Sequence, residues 1–256
     1  MGSSLVAQVS ISEAVDRLHK KIQENPNDLD TGRKACASDD INTVPLCRAV
    51  FELAKEKLPK IAAATHMIRR GFREEPYVNF LFGNAKRAIE EDVPLMFLYS
   101  SDGSIVTSKD SSKGVFNPEF DTWAQSKGLS RQQGIALVNE RQVDIISSAF
   151  LLGSAPIGPE LERGLKHRNE QLAGACAVAL AQIDERQAIP LIVARIRELP
   201  KDARASMNTA LGAFGGPDAD KALAEFVPDA KKRLQYQDES LRGTASWRNF
   251  KPIPFP

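Results

Sequence analysis

Apolar side chains recur three or four positions apart along most of this chain, the spacing that lines one face of a helix. Val15, Leu18 and Ile22 do so in "SISEAVDRLHKKIQ", and Leu46, Val50, Leu53 and Ala54 in "TVPLCRAVFELAKEKL". "PKIAAATHMIRRGF" and "PYVNFLFGNAKRAIEE" each open on a proline, which suits a first helical turn. Pro and Gly in "ENPNDLDTG" interrupt the pattern. Residues 5–92 are therefore predicted to be a helical N-terminal region.

The pattern shifts over 93–155. "VPLMFLYSSDGSIVTSKDSS" runs apolar to Tyr99, meets Asp102-Gly103, and resumes in "SIVTS". Asp-Gly between β-prone residues predicts a hairpin. "GIALVNERQVDIISSAFLLGSAP" (134–156) predicts a second strand pair around Asn139 and Glu140, with Val143 and Ile145 turned inward. Continued helix is the alternative there. This part is expected to be a small α/β region.

Order is highest toward the C-terminus. "ALAQIDERQAIPLIVARI" (179–196) lies without a gap over "ALGAFGGPDADKALAEFV" (210–227), 31 positions on. Leu180 falls on Leu211, Ile183 on Phe214, Ile192 on Leu223 and Ile196 on Val227. A fixed period in this range marks a helical repeat. Each unit reads as helix, turn, helix, with "DERQ" in one turn and "GGPD" in the other. The two copies resemble HEAT-like (PBS-lyase-type) repeats, whose pattern runs roughly A-L-G-x-I-G-D-P-x-A-I-P-x-L. The first copy lacks the Gly-Asp-Pro turn and the second lacks the Ile-Pro.

The resemblance implies a mainly α chain with a C-terminal HEAT-like α-solenoid over 156–232, in which each unit buries its apolar face on the next. It implies no particular activity. Function in such scaffolds lies on positions the pattern leaves free: Arg168, Gln171, Arg195, Arg197, Arg204 and Asn208. The stretch from about residue 45 to 155 is similar to sensor domains of the PAS and Cache type, which implies a ligand pocket in the middle region. The candidate lining residues are Phe97, Tyr99 and Trp123, with His66 a further candidate. The tail, 233–256, ends in "ESLRGTASWRNFKPIPFP" and is expected to be extended. Its Trp247 and Phe250 either cap the repeat or dock a partner.

Composition narrows the function classes. A net charge of +1, from 34 basic and 33 acidic residues, lacks the excess expected of a nucleic-acid binder. The longest basic cluster is only Lys231, Lys232, Arg233. No apolar run approaches the ~18 residues needed to span a bilayer. "MGSS" before "LVAQVSISEAVD" reads as a start joined to an interior point of a longer chain, which leaves room for a leader or anchor upstream. With the sensor likeness, this tilts the expected location outside the cytoplasm. Cys36 and Cys47 bracket a polar loop that a disulfide could close; three reduced thiols is the equal alternative. Cys176, among alanines, reads as a small buried hydrophobe.

Catalytic signatures are missing from the sequence. There is no Gly-rich phosphate loop, H-E-x-x-H or G-x-S-x-G. His19 and His167 sit among Lys and Arg and read as solvated surface. Glu74-Glu75, Glu90-Glu91 and Asp39-Asp40 read as solvation and capping. No metal or cofactor is expected. The leading expectation is a non-enzymatic binding or scaffold protein that uses the repeat surface for a protein partner. The alternatives are a sensor or small-ligand binder with its pocket in the middle region, and a HEAT-fold enzyme without a recognisable motif.

Overall fold

The computed structural model describes residues 11–28, 30–32, 36, 43–109 and 113–238. They are mainly helical, and they divide into two compact units, one up to Phe80 and the other from Leu81. Trp247 and Phe250 lie outside the described residues.

The first unit contains α1 (Ile11–Glu24), α2 (Val44–Leu53), α3 (Lys57–Arg69) and the start of α4 (Glu75–Glu90). Pro45 sits in the first turn of α2, where its missing N–H has no helical partner to lose. The α2 side chains Val44, Leu46, Cys47 and Val50 are buried, and the helix packs on α1 and α3. Phe51 meets Tyr77 and Phe80 edge-on, at centroid distances of 4.8 and 5.4 Å. Cys36 and Cys47 are joined in a disulfide and both are buried. That decides between the two cysteine readings, and closing a loop of this length contributes about 3 kcal/mol. Cys176 remains a free, buried thiol.

The second unit continues through α5 (Pro118–Ser126), α6 (Arg131–Ser147), α7 (Ile157–Gly164), α8 (Glu170–Gln182), α9 (Ile189–Glu198), α10 (Ala205–Phe214) and α11 (Pro217–Phe226). A last helix, α12, covers 230–238. Helix α8 lies at the centre, packed on α6, α7 and α10. Its small residues permit this. A Cβ added at Gly174 would collide with Ser206 of α10, and one at Gly164 of α7 would collide with the Cys176 thiol. Positions 174 and 176 point about 200° apart around the helix, so α8 is approached closely from two sides. Leu180 and Leu211 are fully buried on the adjacent helices α8 and α10. Helix α9 packs on both α10 and α11.

The 31-residue spacing is also visible in the backbone. Asp184 has a positive φ (54°), and so does Gly215 (φ 57°), 31 residues later, although the ψ of 176° at Gly215 is one open almost to glycine alone. Arg186, just after the first of these turns, donates to the carbonyls of Phe214 and Gly215 at 3.3 and 3.0 Å. It thereby satisfies oxygens that the end of α10 leaves without helical partners.

The middle differs from expectation. Residues 97–116 make only isolated antiparallel bridges (Phe97 with Phe116, Tyr99 with Ile105, Thr107 with Gly114), and no strand forms among the described residues. The chain does turn at Asp102-Gly103, where Gly103 has φ +78°. There the Asp102 carboxylate accepts from Ser104 N–H at 3.0 Å and from both serine hydroxyls. This local capture competes with ladder pairing. The second strand pair is also overturned: 134–147 lies in α6, followed by a 3₁₀ turn over Ser148–Leu151. A capping box between Ser130 and Gln133 starts that helix. Gly134, Val138, Ile145 and Ala149 are then buried at helical spacing, while Val143 is only partly buried. The small α/β region is therefore not present, and with it goes the sheet that a PAS or Cache likeness requires.

Candidate functional site

The start of α8 organises a buried polar group. Asn169 caps the helix, its Oδ1 accepting from the backbone N–H of Gln171 and Leu172. Its Nδ2 donates to the Pro94 carbonyl at 2.8 Å. The Asn169 N–H donates to His167 Nδ1 at 2.9 Å, which leaves the proton on Nε2, and this donates to the Glu91 carbonyl at 2.7 Å. His167 is thus a buried, neutral imidazole, 8% exposed, and not the solvated residue its basic neighbours suggested. Burial lowers its pKa, against smaller raising effects from those hydrogen bonds and Asp92.

Glu170, the next residue, is buried and accepts from the Tyr99 hydroxyl (3.1 Å) and the Met96 N–H (3.4 Å). Loss of water raises its carboxyl pKa, and these hydrogen bonds only partly counter the shift. The Tyr99 phenol is pushed up in turn by burial and by the Glu170 charge.

The candidate partner-binding residues mostly tie the fold together. Arg195 donates to the His167 carbonyl at 2.7 Å and Arg204 to that of Leu199 at 2.9 Å. Gln171 accepts from Gln142, and Asn208 is buried at 6% exposure. Arg168 is exposed but engages Glu119 at 2.6 Å and Asp92 at 3.3 Å. Arg197 bridges α9 to Glu225 of α11 at 2.9 Å.

Among the candidate ligand residues, His66 is buried on α3 in the first unit. In the second, Phe97, Phe116, Phe120 and Trp123 form a row of rings with successive centroids 4.9, 6.4 and 5.2 Å apart. None of Phe97, Tyr99 and Trp123 lines the concave site found nearby.

That site is an open cleft of about 560 Å³. Helix α4 supplies Gly83, Lys86, Arg87 and Glu90; Glu91 follows it, Lys127 ends α5, and Arg141 comes from α6. Glu91 binds Lys127 at 2.5 Å and Arg141 Nε at 2.9 Å. Burial works against its carboxylate, but the hydrogen bonds from Lys127 and Arg141 prevail and hold it below the usual range. Arg141 also faces the buried Asp144 at 3.5 Å. Glu90 is shared between Lys86 (3.9 Å) and Arg163 of α7 (3.2 Å). Lys127 Nζ lies 5.5 Å from the centroid of the Trp123 ring. The Gly83, Lys86, Arg87, Glu90 stripe was available in the sequence as a helix face with a glycine in it. Its partners at 127 and 141 are too distant in the chain to form a motif.

Fold and site together define a mainly helical protein with a charged cleft and a centrally packed, alanine-rich helix. Among the described residues no group of three or more His, Cys, Asp or Glu side chains is placed to hold a metal ion, and no helix is long and apolar enough to cross a membrane. No protein-family model matches the chain, no curated protein is significantly similar to it, and no solved structure matches it.

Proposed function

We propose that the chain is a non-enzymatic binding protein, a HEAT-like helical scaffold whose repeat surface receives a protein partner. The 31-residue register carries this reading. It recurs in the sequence, in the burial of Leu180 and Leu211, and in the positive φ of Asp184 and Gly215. The packing of α8 on α10 and of α9 on α11 agrees with it. Helix pairs stacked in this way use their inner faces on one another and present their outer faces to partners. At the start of α8 the groups that could do acid–base chemistry are occupied: both His167 ring nitrogens by backbone, Glu170 by Tyr99 and Met96. Cys176 is sealed in the core, with its thiol pushed up by burial.

Leu191, 44% exposed on α9, gives a test position. A photo-crosslinking residue there should capture a partner in extract of the source cells, and Leu191→Asp should weaken the purified pair at least tenfold. Turnover by the isolated chain, or adducts only at first-unit positions such as Lys20, would overturn the reading.

A further inference from the structure

We propose that the cleft between α4, α5 and α6 is a binding site for a small, doubly charged oxyanion, either a phosphoryl group or a dicarboxylate. This goes beyond the scaffold reading and does not depend on it, because no lining residue belongs to α8–α11.

Three observations converge. The first is Gly83. Glycine weakens a helix interior and is kept there for a reason, commonly close packing. Packing does not explain this one, since a Cβ at position 83 would meet nothing within 4 Å. Gly83 is instead part of the cleft wall, and its missing side chain is space in the cleft.

The second is Arg141. Its Nε is held by Glu91 and its Nη1 faces Asp144 and Glu140, with the side chain 13% exposed. Its Nη2 has no partner among the described residues, although the residue lines the cleft. A guanidinium fixed on one edge by carboxylates, with a donor left over, loses little side-chain entropy when it binds an anion. Charge-assisted bonds of that kind are the strong ones.

The third is charge and size. Lys86, Arg87, Lys127 and Arg141 face Glu90 and Glu91, a surplus of two positive charges. Behind the lining, Asp144 and Glu140 lie beside Arg141, and Arg163 beside Glu90 is itself paired with Glu160, so the surplus belongs to the side chains that face the cleft. A volume of about 560 Å³ lies within the ordinary range for small-molecule sites. The charged lining selects a polar anion over an apolar ligand.

The test uses the full chain, isotopically labelled, titrated at constant ionic strength with inorganic phosphate, with succinate, and with chloride as control. Saturable shifts of the Gly83 amide with Kd of about 1 mM or tighter are expected for phosphate or succinate but not for chloride. The tighter probe identifies the source as phosphoryl or dicarboxylate, and either supports the site. Arg87→Gln, at an exposed position, should weaken binding at least fivefold. Gly83→Gln, which fills the cleft without altering charge, should weaken it at least tenfold. Arg141→Gln would remove one of the two cations on Glu91 and the one that faces the buried Asp144, which threatens folding, so the two milder variants carry the test. Absence of saturable binding by both probes, or unchanged affinity in both variants, would overturn the proposal.

Discussion

Alanine in place of glycine should act in opposite directions at two helix-interior positions, 83 and 174. Each substitution gains about 1 kcal/mol of helix propensity. At position 83 nothing opposes that gain, because the added methyl meets no atom within 4 Å. At position 174 the methyl would overlap Ser206 Cβ on α10. A Cβ cannot rotate away from a 2.3 Å approach, so α8 and α10 must separate, which falls in the upper part of the overpacking range, about 2–3 kcal/mol. The expected net effects are about 1 kcal/mol of stabilisation for Gly83→Ala and about 1–2 kcal/mol of destabilisation for Gly174→Ala. With a urea m-value of about 2 kcal/mol/M, these are midpoint shifts of about +0.5 M and −0.5 to −1 M. Hydrogen exchange of α8 peptides across a urea series reports the second unit directly. Adding Ser206→Gly to Gly174→Ala should recover part of the loss, giving a coupling energy of about 1 kcal/mol or more. If both glycine variants moved the midpoint the same way, or if Ser206→Gly gave no coupling, the close stacking of α8 on α10 would be wrong.

Asp184→Gly should stabilise by about 0.5–1 kcal/mol, and Gly215→Ala, at φ 57° and ψ 176°, should destabilise by about 1–3 kcal/mol, both measurable by calorimetry. The raised carboxyl of Glu170 makes a contribution that is fully present below its ordinary 4.5 and is lost as pH rises through the folded value. Glu170→Gln should therefore gain stability relative to the parent at pH 8 compared with pH 5, in paired urea titrations. His167 has the opposite sign: its depressed folded pKa gives a contribution present above 6.5 and lost as pH falls toward the folded value. Its ring should show the Nε2–H tautomer by nitrogen NMR and begin to titrate only below 6.5. Replacing both Cys36 and Cys47 by alanine should cost about 3 kcal/mol in the first unit, and a reducing agent should have no further effect on that variant.

What was legible in the sequence was what repeats or caps locally. The alignment of 179–196 on 210–227 anticipated that Leu180 and Leu211 would be buried on adjacent helices. It also pairs Asp184 with Gly215, so the recurring positive φ was present in the register although only one of the two residues is glycine. Strand was misread in "QVDIISS" because β-branched residues there outweighed the Ser130–Gln133 capping box upstream. The Asp-Gly turn was real, but a turn does not make a sheet when its side chains take the nearby donors. His167 was misplaced because Lys166 and Arg168 point outward while the residue between them is drawn in by the Asn169 N–H and the Glu91 carbonyl. The cleft depends on residues 83, 127 and 141, and only the helix stripe at its edge had a local signature.

The polar residues left free by the repeat pattern turned out to serve its alignment, and there is a physical reason for this. Small apolar side chains let two helices approach closely, but they do little to oppose sliding, since one alanine fits against another almost as well a turn further along. Directional bonds to backbone oxygen do oppose it. Arg186 reaches the Phe214 and Gly215 carbonyls, and Arg195 reaches that of His167, each 28 or 29 residues away in the chain. Arg204 closes its own turn on Leu199. An alanine-rich interface therefore needs arginines around it, and an arginine in such a protein should be counted as available for recognition only when its donors are unoccupied. By that criterion Arg195, with Nη1 on Glu198, Nη2 on the His167 carbonyl and Nε buried, drops out of the recognition surface, whereas Arg204, bonded through Nε alone, does not. Arg141 also stays in, because its carboxylate partners hold Nε and Nη1 and leave Nη2 over on a side chain that lines the cleft.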